Sequence, residues 1–141
     1  GVDRLVHFTQ FGSGQYHLLT YSFFSMVMFG AIYYITPRLV GCEWLSSTLI
    51  KFHFWGAAYG GSLLVGLLLL SGVFTGVALG DPEATFRQAA QMGQSYYFGQ
   101  SLAYCILGLG HWIFSLHFLL MLLRIGQPGT QPTRFTKPGA H

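Results

Sequence analysis

The chain has 141 residues, of which 8% are charged, 52% hydrophobic and 17% aromatic, with a formal net charge of +3. A soluble domain is usually about 25% charged, so this composition, with its 19 glycines, excludes an ordinary soluble domain and fits a polytopic membrane protein. The basic residues fall in predicted loops and termini, which excludes a nucleic-acid footprint.

In chain order, residues 1–16 form an arm that opens on Gly1 and contains "HFTQF". Without a basic stretch and cleavage site, this start reads as that of a processed chain or a fragment. Three runs are then apolar enough to cross a bilayer, which takes about 20 residues in a helix. They cover about 17–35, 54–79 and 101–123, and none contains Asp, Glu, Lys or Arg. Pro37 is expected to end the first, since it lacks an amide proton and restrains the residue before it. In the second, Gly56, Gly60, Gly72, Gly76 and Gly80 lie at spacings that let helices approach closely, chiefly within this chain and otherwise against another subunit. Between the second and third runs, "GDPEATFRQAAQM" predicts a short surface helix over about 82–92, with Asp81 as its cap and Pro82 in its first position. After Arg124 the Gly/Pro-rich tail, 125–141, has no apolar period. Tyr33, Tyr34, Trp44, Trp55, Tyr96 and Tyr97 lie near the span ends, as an interfacial belt does.

The predicted fold is an all-α membrane domain over 17–124. Counting Lys and Arg only, Arg38, Lys51, Arg124, Arg134 and Lys137 lie on one side, with Arg4 and Arg87 on the other. The positive-inside rule then puts the N-terminus outside and the tail in the cytoplasm. Cys42 and Cys105 are too few for a disulfide framework and are not expected to bond. No nucleotide motif, catalytic triad or zinc-type spacing occurs.

The histidines carry the functional question, because an ionisable residue inside a span is a functional-site candidate by default. His53, in "KFHFW", is expected to serve as a cap or interfacial group at the start of the second span. His17, His111 and His117 are candidate haem ligands, since a neutral imidazole can ligate iron through one nitrogen while a partner fixes the other. Interhelical hydrogen bonding is the bland reading for each. At about 1.5 Å per residue, His111 lies roughly 15 Å deeper than His17, and His117 roughly 9 Å deeper again. Neither is at the right depth to be the second ligand of a haem held by His17. That ligand must come from another chain or from helices not present here.

The stretch "HFTQFGSGQYHLLTYSFFSMVMFGAIYYITPRLVG", followed by "EWLSSTLIKFHFWGAAYGG", resembles the last part of the catalytic subunit of cbb3-type haem-copper oxidases and the related nitric oxide reductase large subunit. The resemblance implies the final three helices of a twelve-helix bundle in the bacterial inner membrane. It also implies a His-x-His pair at the start of the first of them, one for the high-spin and one for the low-spin haem. Here that pair reads Gln15-Tyr16-His17. His17 keeps the low-spin position and would hold haem b, while Gln15 replaces the high-spin ligand with an amide that suits iron poorly. The resemblance places the copper ligands on earlier helices, outside this chain. It implies other membrane subunits and a periplasmic cytochrome c as partners, within a lipid bilayer. His111 and His117 do not follow from it, and stay open between another cofactor, a quinone and helix packing. A haem-free packing subunit and a terminal oxidase fragment that tolerates Gln15 are the competing readings.

Overall fold

A computed structural model describes residues 6–125, and among these every regular element is helical. The Gly/Pro-rich tail predicted from residue 125 lies, past Ile125, outside the described residues, as do the first five. Three helices are long and apolar enough to cross a membrane: α1 Gln10–Val40, α2 Ser47–Leu79 and α4 Tyr97–Leu122. A shorter helix, α3 Phe86–Gln94, lies between the last two. α2 is the central element, packed along α4 and against the first turns of α1 and against α3. Its 33 residues extend about 50 Å, well beyond a hydrocarbon core of about 30 Å, so it projects past the core or tilts within it.

α1 begins seven residues before the predicted span. Thr9 caps it, its Oγ1 accepting from Phe11 N at 3.3 Å. Gln10 is tied across to α4, where Gln100 Nε2 donates to Gln10 Oε1 at 2.7 Å. Polar residues thus start the helix because side chains elsewhere satisfy them. Leu18–Ser25 widens into a π-helical stretch. There Ser25 Oγ donates to Thr20 O at 3.0 Å, five residues back. Such widened turns are rare and gather at functional sites.

Pro37 does not end α1, contrary to the reading of the sequence. It lies buried inside Met26–Val40. A proline leaves the carbonyl four residues earlier without its helical donor; here that is Tyr33 O, and Trp44 Nε1 donates to it at 3.0 Å. The helix stops four residues later at Gly41, whose φ of +66° closes the left-handed cap. Its N–H donates to Pro37 O at 2.9 Å.

α3 also differs from expectation. Its cap is Thr85, which forms a capping box with Gln88, and Asp81 instead closes the preceding turn by accepting from Glu83 N at 3.0 Å. The capping box satisfies two backbone donors, where Asp81 would satisfy one.

The small residues of α2 serve contacts inside the chain. A Cβ on Gly72 would lie 2.6 Å from Phe11 Cα, so only glycine lets α1 and α2 meet there. Gly56 faces Gly110 of α4, and Gly60 faces Leu107. Around them Leu64, Leu68, Ala103 and Leu107 form one buried cluster, and Cys42, Trp44, Ile50 and Met121 form another beside the 41–46 loop. Trp44 is 5% exposed and belongs to that core. It is not part of an interfacial belt, because its indole N–H is committed to Tyr33 O.

Candidate functional site

His17 closes the first, regular part of α1, immediately before the π-helical stretch. Its Nδ1 lies 2.8 Å from Ser13 O, one turn back. A carbonyl only accepts, so Nδ1 carries the proton and Nε2 keeps its lone pair. The ring is half-buried, with Tyr16 and Tyr104 as edge-on neighbours at centroid distances of 6.0 and 6.5 Å. This end of α1 is seated tightly: a Cβ on Gly14 would lie 2.8 Å from Leu69 Cδ2. Gln15 is exposed. Two residues before His17, it points about 160° away around the helix.

Tyr104 marks the level of His17 on α4. His111, seven residues further on, is roughly 10 Å deeper, so the two histidines do not share one depth. His111 points instead into a line of polar groups. Tyr21 Oη is bonded to His111 Nε2. His111 Nδ1 lies 3.3 Å from His53 Nε2, and His53 Nδ1 lies 2.9 Å from Tyr33 Oη. His117 is 1% exposed and separate from this line. Its Nε2 accepts from Ser46 N at 3.2 Å, its ring faces Trp44, and its Nδ1 is buried without a partner. The structure therefore brings none of His17, His111 and His117 together. Among the described residues, no group of three or more His, Cys, Asp and Glu could hold a metal ion.

His53 is the residue the sequence reading undervalued. It is 1% exposed, a buried junction between α1 and α4 and not an interfacial cap. A signal for it exists in the sequence. Ile50, His53, Ala57, Gly60, Leu64 and Leu68 recur every three or four residues, and all are buried. His53 thus lies on the inward stripe of its helix.

Fold and site together define a helical membrane protein whose interior carries histidines in distinct settings. The family model described as Cytochrome C and Quinol oxidase polypeptide I matches residues 1–106, and the chain belongs to that family. It is 36% identical over 73 residues to a cytochrome c oxidase subunit 1 homolog of Agrobacterium tumefaciens (strain T37), covering 51% of this chain and 14% of that protein. It is 32% identical over 84 residues to a cytochrome c oxidase subunit 1 of Rhodobacter capsulatus, covering 59% and 16%. It is 32% identical over 77 residues to the Cbb3-type cytochrome c oxidase subunit CcoN1 of Stutzerimonas stutzeri, covering 54% and 16%. The chain thus spans about one-sixth or less of the length of these relatives. No solved structure matches it.

Proposed function

We propose that this chain is a membrane subunit of a respiratory electron-transfer complex in which His17 supplies one axial ligand to a low-spin haem b. One observation carries this reading. The Ser13 carbonyl fixes the protonated nitrogen of His17, which leaves Nε2 as a donor of set direction. Metal-binding imidazoles are arranged this way. The tight seat of Gly14 against Leu69 holds the helix turn that carries the ring. Such a haem supplies one-electron transfer.

The second axial ligand comes from outside the described residues, from another chain or from further helices, so the chain works within a larger membrane assembly. Membership in the oxidase subunit I family supports this, as does the printed name of the cbb3-type relative. Gln15 faces away from His17 and offers an amide where the resembled family offers imidazole. We therefore assign electron transfer to this chain and not oxygen reduction. The loop charges support an external N-terminus in a bacterial inner membrane, and a periplasmic cytochrome c is then the fitting electron donor.

The test is the reduced-minus-oxidised visible spectrum of the purified assembly. His17→Gly should lose one low-spin b-type component, and added imidazole should restore it. Gln15→His should leave oxygen uptake unchanged. An unaltered spectrum in His17→Gly would leave a haem-free subunit kept for helix packing.

A further inference from the structure

The π-helical stretch Leu18–Ser25 begins one residue after His17. In such a stretch a carbonyl is met by the N–H five residues on instead of four, so a turn holds more chain than an α-turn does. Nothing local asks for this. The sequence "LLTYSFFS" contains neither proline nor glycine, the residues that usually make a helix irregular. The cause lies in what the two flanking α-helical segments must face.

Gly14 is the buried residue of the segment before the stretch, and Pro37 is that of the segment after it. An α-helix turns about 100° per residue. Along an unbroken one, Gly14 and Pro37 would point about 140° apart, and Gly14 and Tyr33 about 100° apart. Yet both segments are covered by the same neighbour: Gly14 lies against Leu69, and Tyr33 Oη is 2.9 Å from His53 Nδ1, both on α2. A helix that spends one residue on a widened turn gives up about 100° of rotation. The first pair then points about 40° apart, and the second falls into line. Side chains brace the widened turn. Ser25 Oγ donates to Thr20 O at 3.0 Å, five residues back, and Thr20 Oγ1 donates to Tyr16 O at 2.6 Å.

We propose that Leu18–Ser25 is a register element that positions His17. It takes up the one residue by which the chain between Gly14 and Tyr33 exceeds an α-helix. The turn that carries His17 therefore keeps its seat on α2 while the Tyr33 turn keeps its bond to His53. The number of residues in the stretch sets the direction of His17 Nε2. One residue fewer closes the stretch to an α-helix and leaves both flanks in line. One residue more has no turn left to absorb it and rotates one flank against the other by about 100°. The register element rests on the haem reading of His17 for its spectral signature alone.

The test varies the residue count in the full chain within its native assembly. Deleting Phe24, whose ring is exposed, should keep the wild-type thermal midpoint in detergent and the full amplitude of the low-spin b-type component. Inserting one alanine after Phe24 should abolish that component and lower the midpoint by about 5–10 °C. Deleting Leu70, also exposed but in the regular helix α2, should lower the midpoint as far as the insertion does. A regular helix suffers equally from a deletion and an insertion, so the asymmetry between them belongs to the register element. The midpoints read that asymmetry with or without haem, whereas a spectrum indifferent to His17→Gly removes the haem reading alone. A Phe24 deletion as damaging as the Leu70 deletion, or an insertion as harmless as the Phe24 deletion, would overturn the register element.

Discussion

The two halves of the bundle are joined in different ways. Near the start of α1 the helices meet backbone to backbone: Gly72 receives Phe11, and Gly14 lies under Leu69. Near the 41–46 loop they meet through rings and polar side chains, with Tyr33 on His53, Trp44 on Tyr33 O and His117 on Ser46 N. Lipid tails are as apolar as the side chains, so burial alone gives helices little reason to associate. Close approach and polar contacts are the two remedies: glycine contacts predominate near the start of α1, where Gln100 Nε2 also donates to Gln10 Oε1, and polar side chains predominate near the loop, where Gly56 also faces Gly110. The difference has a functional consequence. At the glycine-packed end, His17 is bonded through Nδ1 to the Ser13 carbonyl, with the Tyr104 ring edge-on beside it at 6.5 Å. At the ring-packed end, both nitrogens of His53 and of His111 are taken up inside the protein.

Changes at the glycine-packed end should have the largest effect. Gly72→Leu places side-chain atoms where the Phe11 backbone lies. Overpacking typically costs about 1–3 kcal/mol and can cost more when backbone must move. The expected result is a lower thermal midpoint in detergent together with loss of any haem signal assigned to His17. A variant that unfolds normally and keeps its spectrum would show that the glycine contact does not seat the ligand.

At the opposite end, Trp44→Phe removes the indole donor on Tyr33 O, a loss of about 0.5–1.5 kcal/mol. Pro37→Ala restores an N–H four residues beyond Tyr33, so the double variant should recover much of that loss. A double-mutant cycle on denaturation in mixed micelles reads the coupling. Additive losses would mean that Trp44 stabilises the core by packing alone. The smallest effect is expected in the surface helix. Thr85→Ala breaks the capping box at a cost of about 1 kcal/mol, visible as faster amide exchange at Phe86–Gln88 with no change at α1 or α4.

The halves were also unequally legible in the sequence. Three apolar runs free of charge announce three spans, and the glycine spacing in α2 announces close packing. Both are local patterns, and both survive in the structure. What escaped depends on partners distant in sequence. α1 starts at Gln10 because Gln100 meets it, ninety residues on. It runs through Pro37 because Trp44 folds back from the loop. His53 sits two residues from Lys51, which made it look interfacial, and only Tyr33 and His111 identify it as a junction. His17 was legible as a candidate from its place at the threshold of the first span. The carbonyl that fixes its tautomer was not, because that depends on ring orientation.

A density map of the chain in its native membrane assembly, at side-chain resolution, tests the central claim most directly. The account predicts a macrocycle whose iron is bound to His17 Nε2, with Nδ1 still on the Ser13 carbonyl and the opposite ligand supplied from outside residues 6–125. His17 Nε2 bonded to a protein or lipid group, with no macrocycle beside it, would contradict the account.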